Sequence, residues 1–243
     1  LTVAACIALV ALLFASVGHG GASGYLAAMA LLGVAPDSMK PAALSLNILV
    51  SGIATWRFAR AGAFSWRVFW PFAVTSIPCA FLGGLLTAPE FLYQTLLGIV
   101  LLYAALYALW RASAPNDQVT APPSLLVALP TGAGLGLLSG LTGVGGGIFL
   151  SPLLLLNRWA DPKTISGVAA PFILVNSIAG LTGLLSQGAP LPGALPLWLA
   201  AAAIGGAIGA ELGSRRLGTP GILRALAAVL AVAGVKMLFK AWS

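Results

Sequence analysis

The sequence predicts an all-α polytopic membrane protein, and three observations predict it. The chain of 243 residues is 60% hydrophobic and only 7% charged, where a soluble domain carries roughly 25% charged residues. No Asp, Glu, Lys or Arg occurs from Leu1 to Pro36, from Val68 to Pro89, from Gln118 to Asn157 or from Thr164 to Ala210. Crossing a hydrocarbon core of about 30 Å takes about 20 apolar residues, so the last two stretches each hold two crossings. Third, runs such as Leu96-Leu97-Gly98-Ile99-Val100-Leu101-Leu102 are apolar on every side. Strands of a membrane barrel alternate in polarity, which leaves helices as the way to satisfy the backbone in lipid.

Glycines, prolines and charges cut the chain into apolar segments. The first half has Thr2 to Val17, Gly24 to Val34, Ala42 to Phe58, Val68 to Leu86 and Phe91 to Trp110. Leu1 to Leu13 lacks a basic leader region and reads as a retained first helix. After a polar, Pro-rich stretch come Leu125 to Leu141, Ile148 to Leu156, Ile165 to Leu185, Ala194 to Leu212 and Ile222 to Phe239. Both halves run long helix, Gly cluster, short apolar piece, Pro/Asp turn, then three long helices. Gly18 pairs with Gly143, Gly20 and Gly21 with Gly145 and Gly146, and Gly52 with Gly180. The expected organisation is an N-terminal membrane repeat, 1–111, a connecting loop, 112–123, and a C-terminal membrane repeat, 124–243. Such duplication recurs in secondary transporters.

Charge orients the halves. Arg57, Arg60 and Arg67 follow the Ala42 helix, whereas the matching connection, Ser186 to Gly193, has no base. One connection later the bias reverses: Thr87 to Glu90 has none, and Gly213 to Arg224 carries Arg215, Arg216 and Arg224. Basic residues favour the cytoplasmic side, so the halves enter the membrane in opposite senses. That inverted arrangement makes each Gly cluster a break in a discontinuous helix, with ten passes in all. Arg57, Arg60, Arg67, Arg111, Arg158, Lys163, Arg215, Arg216 and Arg224 then lie inside, and Lys40, Lys236 and Lys240 outside. The rival has eight full spans, favoured by the shortness of the Gly24 and Ile148 pieces, but splits the bases evenly.

The strongest local motif is Ser139-Gly140-Leu141-Thr142-Gly143-Val144-Gly145-Gly146-Gly147. Small residues serve close helix packing, but three consecutive glycines also ease unwinding and leave room for a ligand against the backbone. A fresh helix beyond the break has N–H groups without internal acceptors, and its dipole favours an anion. Gly145, Gly146 and Gly147 present such donors, and Gly18-His19-Gly20-Gly21 does the same from the other half. Two such starts near the midplane form a cradle for a small oxyanion. The candidate substrate-binding set is Gly18, His19, Gly20, Gly21, Asn47, Thr142, Gly143, Gly145, Gly146, Gly147 and Asn176. Thr142 and Ser139 have the alternative of bonding back to their own helix. His19, which titrates near neutral pH, and Glu211 are the candidates for coupling to an ion. Glu211 also stands four residues before Arg215, at ion-pair spacing. Asp37 and Asp161 read as turn or capping residues, and Lys40 and Lys163 as bases that steer anions or snorkel.

Other chemistries lack their residues. The motif has Ile148 where a nucleotide phosphate loop needs lysine. A single histidine, with Cys6 and Cys79 apart in apolar runs, supplies no metal set or catalytic triad. The net charge of +7 sits singly or in pairs beside spans, the pattern of membrane anchoring and not of nucleic-acid binding. The expected partners are a small anionic substrate and membrane lipid, with a proton or sodium ion as coupling ion, no cofactor, no nucleic acid, and a homodimer compatible.

With these two Gly-rich motifs and the duplicated arrangement, the chain resembles the TauE/SafE family of membrane permeases, also described as sulfite exporters, over essentially its whole length. The second motif matches the usual form, and the first departs from it in His19 and in Ala22, where a third glycine is expected. The resemblance implies a bacterial plasma-membrane protein that moves sulfite, sulfonates or other small organic anions, usually with seven to eight spans. A channel-like anion facilitator and a non-transporting scaffold or accessory subunit are the alternatives, and no enzyme is implied.

Overall fold

The structure, a computed structural model, describes residues 1–86, 89–111, 123–215 and 220–242. Most of the connecting loop and Arg216 lie outside the described residues. Among those described, the chain forms α1 (Thr2–Ala15), α2 (Ala22–Leu31), α3 (Pro36–Arg60), α4 (Trp66–Leu85) and α5 (Glu90–Arg111), then α6 (Leu125–Thr142), α7 (Gly147–Leu156), α8 (Pro162–Ser186), α9 (Leu195–Arg215) and α10 (Pro220–Trp242). Every apolar segment of the sequence is a helix. Among the described residues, five stretches are long and apolar enough to cross a bilayer: Asp37–Arg60, Trp66–Leu85, Leu125–Thr142, Pro162–Ser186 and Leu195–Gly213. The fold is all-α and polytopic. By contrast α2 and α7 have 10 residues each, about 15 Å at 1.5 Å per residue, which is half a hydrocarbon core.

Lipid gives apolar helices no reason to prefer each other, so close backbone approach has to hold them together. Two glycine stripes provide it. On α6, a side chain added at Gly132, Gly136 or Gly140 would run into the carbonyl oxygens of Phe72, Ser76 and Ala80 on α4. On α9, one at Gly205, Gly209 or Gly213 would meet those of Ala8 and Leu12 on α1 and of Ser16, its C-cap. Around these pairs, α3 packs on α8 and α9, α4 on α8, α5 on α10, α2 on α3, and α7 on α8. Exchanging each helix for the one five places on maps α4–α6 onto α9–α1, α4–α8 onto α9–α3, and α2–α3 onto α7–α8.

Helix ends follow local chemistry. The α2 terminus closes with Gly33 N–H on Ala30 O (3.3 Å) and Val34 N–H on Met29 O (2.9 Å), and Gly33 is left-handed at φ 74°. The α7 terminus makes the same closure with Arg158 at φ 57°, a backbone shape that glycine adopts without strain. Asp161 caps α8, accepting from the Lys163 and Thr164 N–H groups (2.9 and 3.1 Å) and from the Thr164 hydroxyl (2.6 Å). Partial desolvation works to raise its pKa, yet these hydrogen bonds prevail and hold the carboxyl below its ordinary value.

Gly136→Ala should lower stability by roughly 1–3 kcal/mol in thermal unfolding of detergent-solubilised protein, because the Ser76 carbonyl cannot yield. Gly134→Ala, with nothing within 4 Å of the new methyl, should be neutral or slightly stabilising. Asp161→Ala should cost about 1 kcal/mol at neutral pH. As the folded pKa is depressed, the Asp161 contribution is present above the ordinary carboxylate pKa and is lost as pH falls through the lowered value. The difference between wild type and Asp161→Ala should therefore vanish in strong acid.

Candidate functional site

Each Gly cluster turns the chain back on itself. At the first, α1 ends with Gly18 N–H on Ala15 O (3.1 Å) and His19 N–H on Phe14 O (2.9 Å), Gly18 being left-handed at φ 76°. A Cβ on Gly24, in the first turn of α2, would stand 2.5 Å from Val10 and 2.6 Å from Phe14, so the start of α2 lies alongside α1. At the second, Gly143, Gly145 and Gly146 take φ of 78°, 83° and 79°. A Cβ on Gly146 would lie 3.4 Å from Ser139 Cβ and 3.6 Å from Leu135 O, two turns back along α6. Left-handed glycines, Gly21 and Gly146, form both N-caps, and no side chain caps either helix start.

The two turns meet between the long helices. A Cβ on Gly20 would come within 2.6 Å of Asn47 Oδ1 and 2.9 Å of Ile173. One on Gly145 would come within 2.5 Å of Asn47 Nδ2, 2.9 Å of Ile173 and 3.0 Å of Ser177 Oγ. Gly147 also abuts Ile173. Asn47 lies midway along the 25 residues of α3, and Ile173 holds the corresponding place in the 25 of α8. Such a helix is about 37 Å long, and the junction lies about half-way along both. Asn47 donates from Nδ2 to Val144 O (3.2 Å) and Ser177 Oγ (3.3 Å). The junction is closed: Asn47 is wholly buried, and its side chain and Ile173 fill the space between the breaks. A cavity of about 260 Å³, lined in part by Ala30, Gly33, Met39 and Lys236, opens away from it, at the C-terminal end of α2.

Among the described residues, several interior polar atoms have no hydrogen-bond partner: Asn47 Oδ1, Ser139 Oγ, Asn176 Oδ1 and Tyr25 OH. All four side chains are fully buried, and a buried polar atom left unsatisfied costs about 1–3 kcal/mol. Tyr25 stands over the first break, where a Cβ on Gly21 would lie 2.9 Å from its hydroxyl. Ser139 lies against Gly146 of the second.

His19 bridges the halves. Its Nδ1–H donates to Val17 O (3.1 Å), because a carbonyl can only accept, and its Nε2 receives the Ser151 hydroxyl of α7 at 3.1 Å. Thr142 bonds back to Leu138 O (2.7 Å), and Asn176 donates from Nδ2 to Phe172 O in its own helix (2.8 Å). Gly18 and Gly143 lie against Ser166 and Lys40, respectively. The structure thus gathers Gly20, Gly145, Gly147 and Asn47 into one junction and sets His19 beside it. Glu211 is remote: it forms an ion pair with Arg57, ten residues or about 15 Å beyond Asn47 on α3. Sequence reasoning missed Ile173, Ser151 and Tyr25, whose types carry no distinctive signal inside apolar helices.

Comparison with known proteins agrees with this architecture. The family model described as "Sulfite exporter TauE/SafE" matches residues 3–237. The chain is 42% identical over 233 residues to "Probable membrane transporter protein y4hK" of Sinorhizobium fredii, covering 95% of this chain and 94% of that protein. No solved structure matches it. A fold of apolar spans around two uncapped helix starts, matched end to end by one permease family, has a plain assignment: the chain belongs to the sulfite exporter TauE/SafE family, as a multi-pass membrane transporter and not an enzyme.

Proposed function

We propose that this transporter is a secondary carrier of small anions, such as sulfite, sulfonates or short organic carboxylates, across the bacterial plasma membrane. The observation that carries the reading is the convergence of two uncapped helix starts on Asn47, midway through the bundle. N–H groups that no side chain caps, and the positive dipole ends of α2 and α7, favour negative charge there. The partnerless polar atoms around the breaks suit an interior that periodically receives a polar guest or water. The family's description supports sulfite as the first substrate to test.

In this reading the halves are repeats of inverted topology. The first Gly cluster folds α2 back along α1, and the second turns the chain back against α6 before α7 packs on α8. With each break returning the chain to the side it left, each half changes sides an odd number of times. The exchange symmetry of the helix pairings and the opposite placement of basic residues support the same arrangement. A carrier is favoured over an open facilitator because Asn47 and Ile173 close the junction. Passage requires the Asn47 amide to turn aside, exposing the break backbones to one side and then the other. His19 is the proposed coupling group. Protonation at Nε2 would force Ser151 to change from donor to acceptor and loosen this link between the halves.

Proteoliposomes holding the purified chain should take up or release sulfite, sulfoacetate, taurine or acetate faster than protein-free vesicles. Absence of flux across the whole panel would remove the carrier reading. Asn47→Asp, which sets a negative charge between the helix starts, should reduce anion flux by roughly tenfold or more; undiminished flux would displace the junction from the pathway. His19→Gln should flatten the pH dependence of transport, and an unaltered profile would assign coupling elsewhere.

A further inference from the structure

The halves differ at one position that bears directly on charge. Lys40 and Ser166 hold corresponding places near the starts of α3 and α8. Each lies against the left-handed glycine of the other half's break: a Cβ on Gly18 would stand 2.6 Å from Ser166 Cβ, and one on Gly143 would stand 3.1 Å from Lys40 Cγ. Ser166 is satisfied there, donating to Val17 O (3.1 Å) and Pro162 O (3.2 Å). Lys40 is not. Its ammonium carries three donors, and the structure gives it a single long contact, to Gly83 O at 3.5 Å. Only 9% of the residue is exposed, and it makes no ion pair among the described residues. A buried charge is stable only when paired, so this ammonium calls for a counter-ion.

Its position says which one. Lys40 precedes Asn47 by seven residues on α3, two helical turns along the same face, about 10 Å. The backbone of the second break spans that distance, with Gly143 against Lys40 and Gly145 against Asn47. The stem of Lys40 and the junction thus lie at the two ends of the short segment Gly143-Val144-Gly145, and only one of the two breaks has a lysine beside it.

We propose that Lys40 is the charge-selecting residue of the transport site, its ammonium pairing with a compact oxyanion on the path between the α3 start and the Asn47 junction. This rests on the anion-carrier reading. A lysine supplies a point charge and not the planar fork of an arginine, which suits a small anion of no fixed orientation. The competing role is structural: Gly83 O is among the last carbonyls of α4, and a cation there stabilises the helix end.

The test uses sulfite with the full-length chain, measuring KM for flux in proteoliposomes and the sulfite-induced rise in Tm in detergent. Lys40→Met should raise KM by roughly tenfold or more and abolish the sulfite-induced rise, while Lys40→Arg retains most of both. If Lys40→Met does not fold, Lys40→Gln, which keeps a donor without the charge, carries the same comparison. Should the neutral variant merely melt earlier, with KM and the sulfite-induced rise unchanged, Lys40 is a cap for α4 and the proposal is wrong. Loss of this effect with wild-type flux intact leaves the carrier reading standing. Wild-type protein that neither binds nor moves any anion of the panel removes both.

Discussion

Everything in this fold depends on how an interrupted helix is tolerated in lipid. A bilayer supplies no water to the N–H and C=O groups that a break exposes, so the protein must cover them. Here the cover comes crosswise. The first break lies against α8 through Ser166 and Ile173, and the second lies against α3 through Lys40 and Asn47. The Asn47 amide donates to Val144 O, and Ser166 donates to Val17 O, each reaching a carbonyl inside the other half's turn. Neither turn is sheltered by its own half alone, and the same bracing brings both helix starts together. Structural need and the geometry of the proposed site have one origin.

The frame around the junction is of a different character. Glycine stripes bring α6 onto α4 and α9 onto α1 at backbone contact, and Gly84 of α4 meets Gly180 of α8 in the same way. Such contacts tolerate little sliding, because any displacement drives a carbonyl into a neighbouring backbone. The centre, by contrast, is closed by two side chains and held by hydrogen bonds of 3.2 and 3.3 Å. A rigid perimeter around two plugging side chains is the division of labour that the proposed carrier requires.

Much of this was legible in the sequence. Charge gaps and glycine clusters located every helix and both breaks, since each reports a cost that lipid enforces. Helix starts were read late at α3 and α8, because Asp37, Lys40 and Lys163 look like loop residues. The prolines at Pro36 and Pro162 are instead first-turn residues, with Asp161 capping α8. The pairing of Gly52 with Gly180 does not hold: α3 and α8 correspond from their prolines, which sets Gly180 opposite Ala54. A side chain at Gly52 would meet nothing within 4 Å, whereas Gly180 packs on α4. Asn176 drew attention as a polar residue in an apolar helix, but it bonds to its own helix, and the junction place belongs to Ile173. An isoleucine among apolar residues gives no sign of what it touches. The stripes at Gly132, Gly136 and Gly140 and at Gly205, Gly209 and Gly213 could have been read from their four-residue spacing, since that spacing marks one helix face.

The ion pair of Arg57 with Glu211 fastens the far ends of α3 and α9, and both side chains are about a third exposed, at 36% and 30%. At the matching place on α8 stands Gly183, pressed on the Phe81 carbonyl of α4. Dissolved electrolyte screens exposed charges but leaves dispersion contacts untouched. One extremity of the bundle is therefore clasped by a fastening that responds to ionic strength, and the opposite extremity by one that does not.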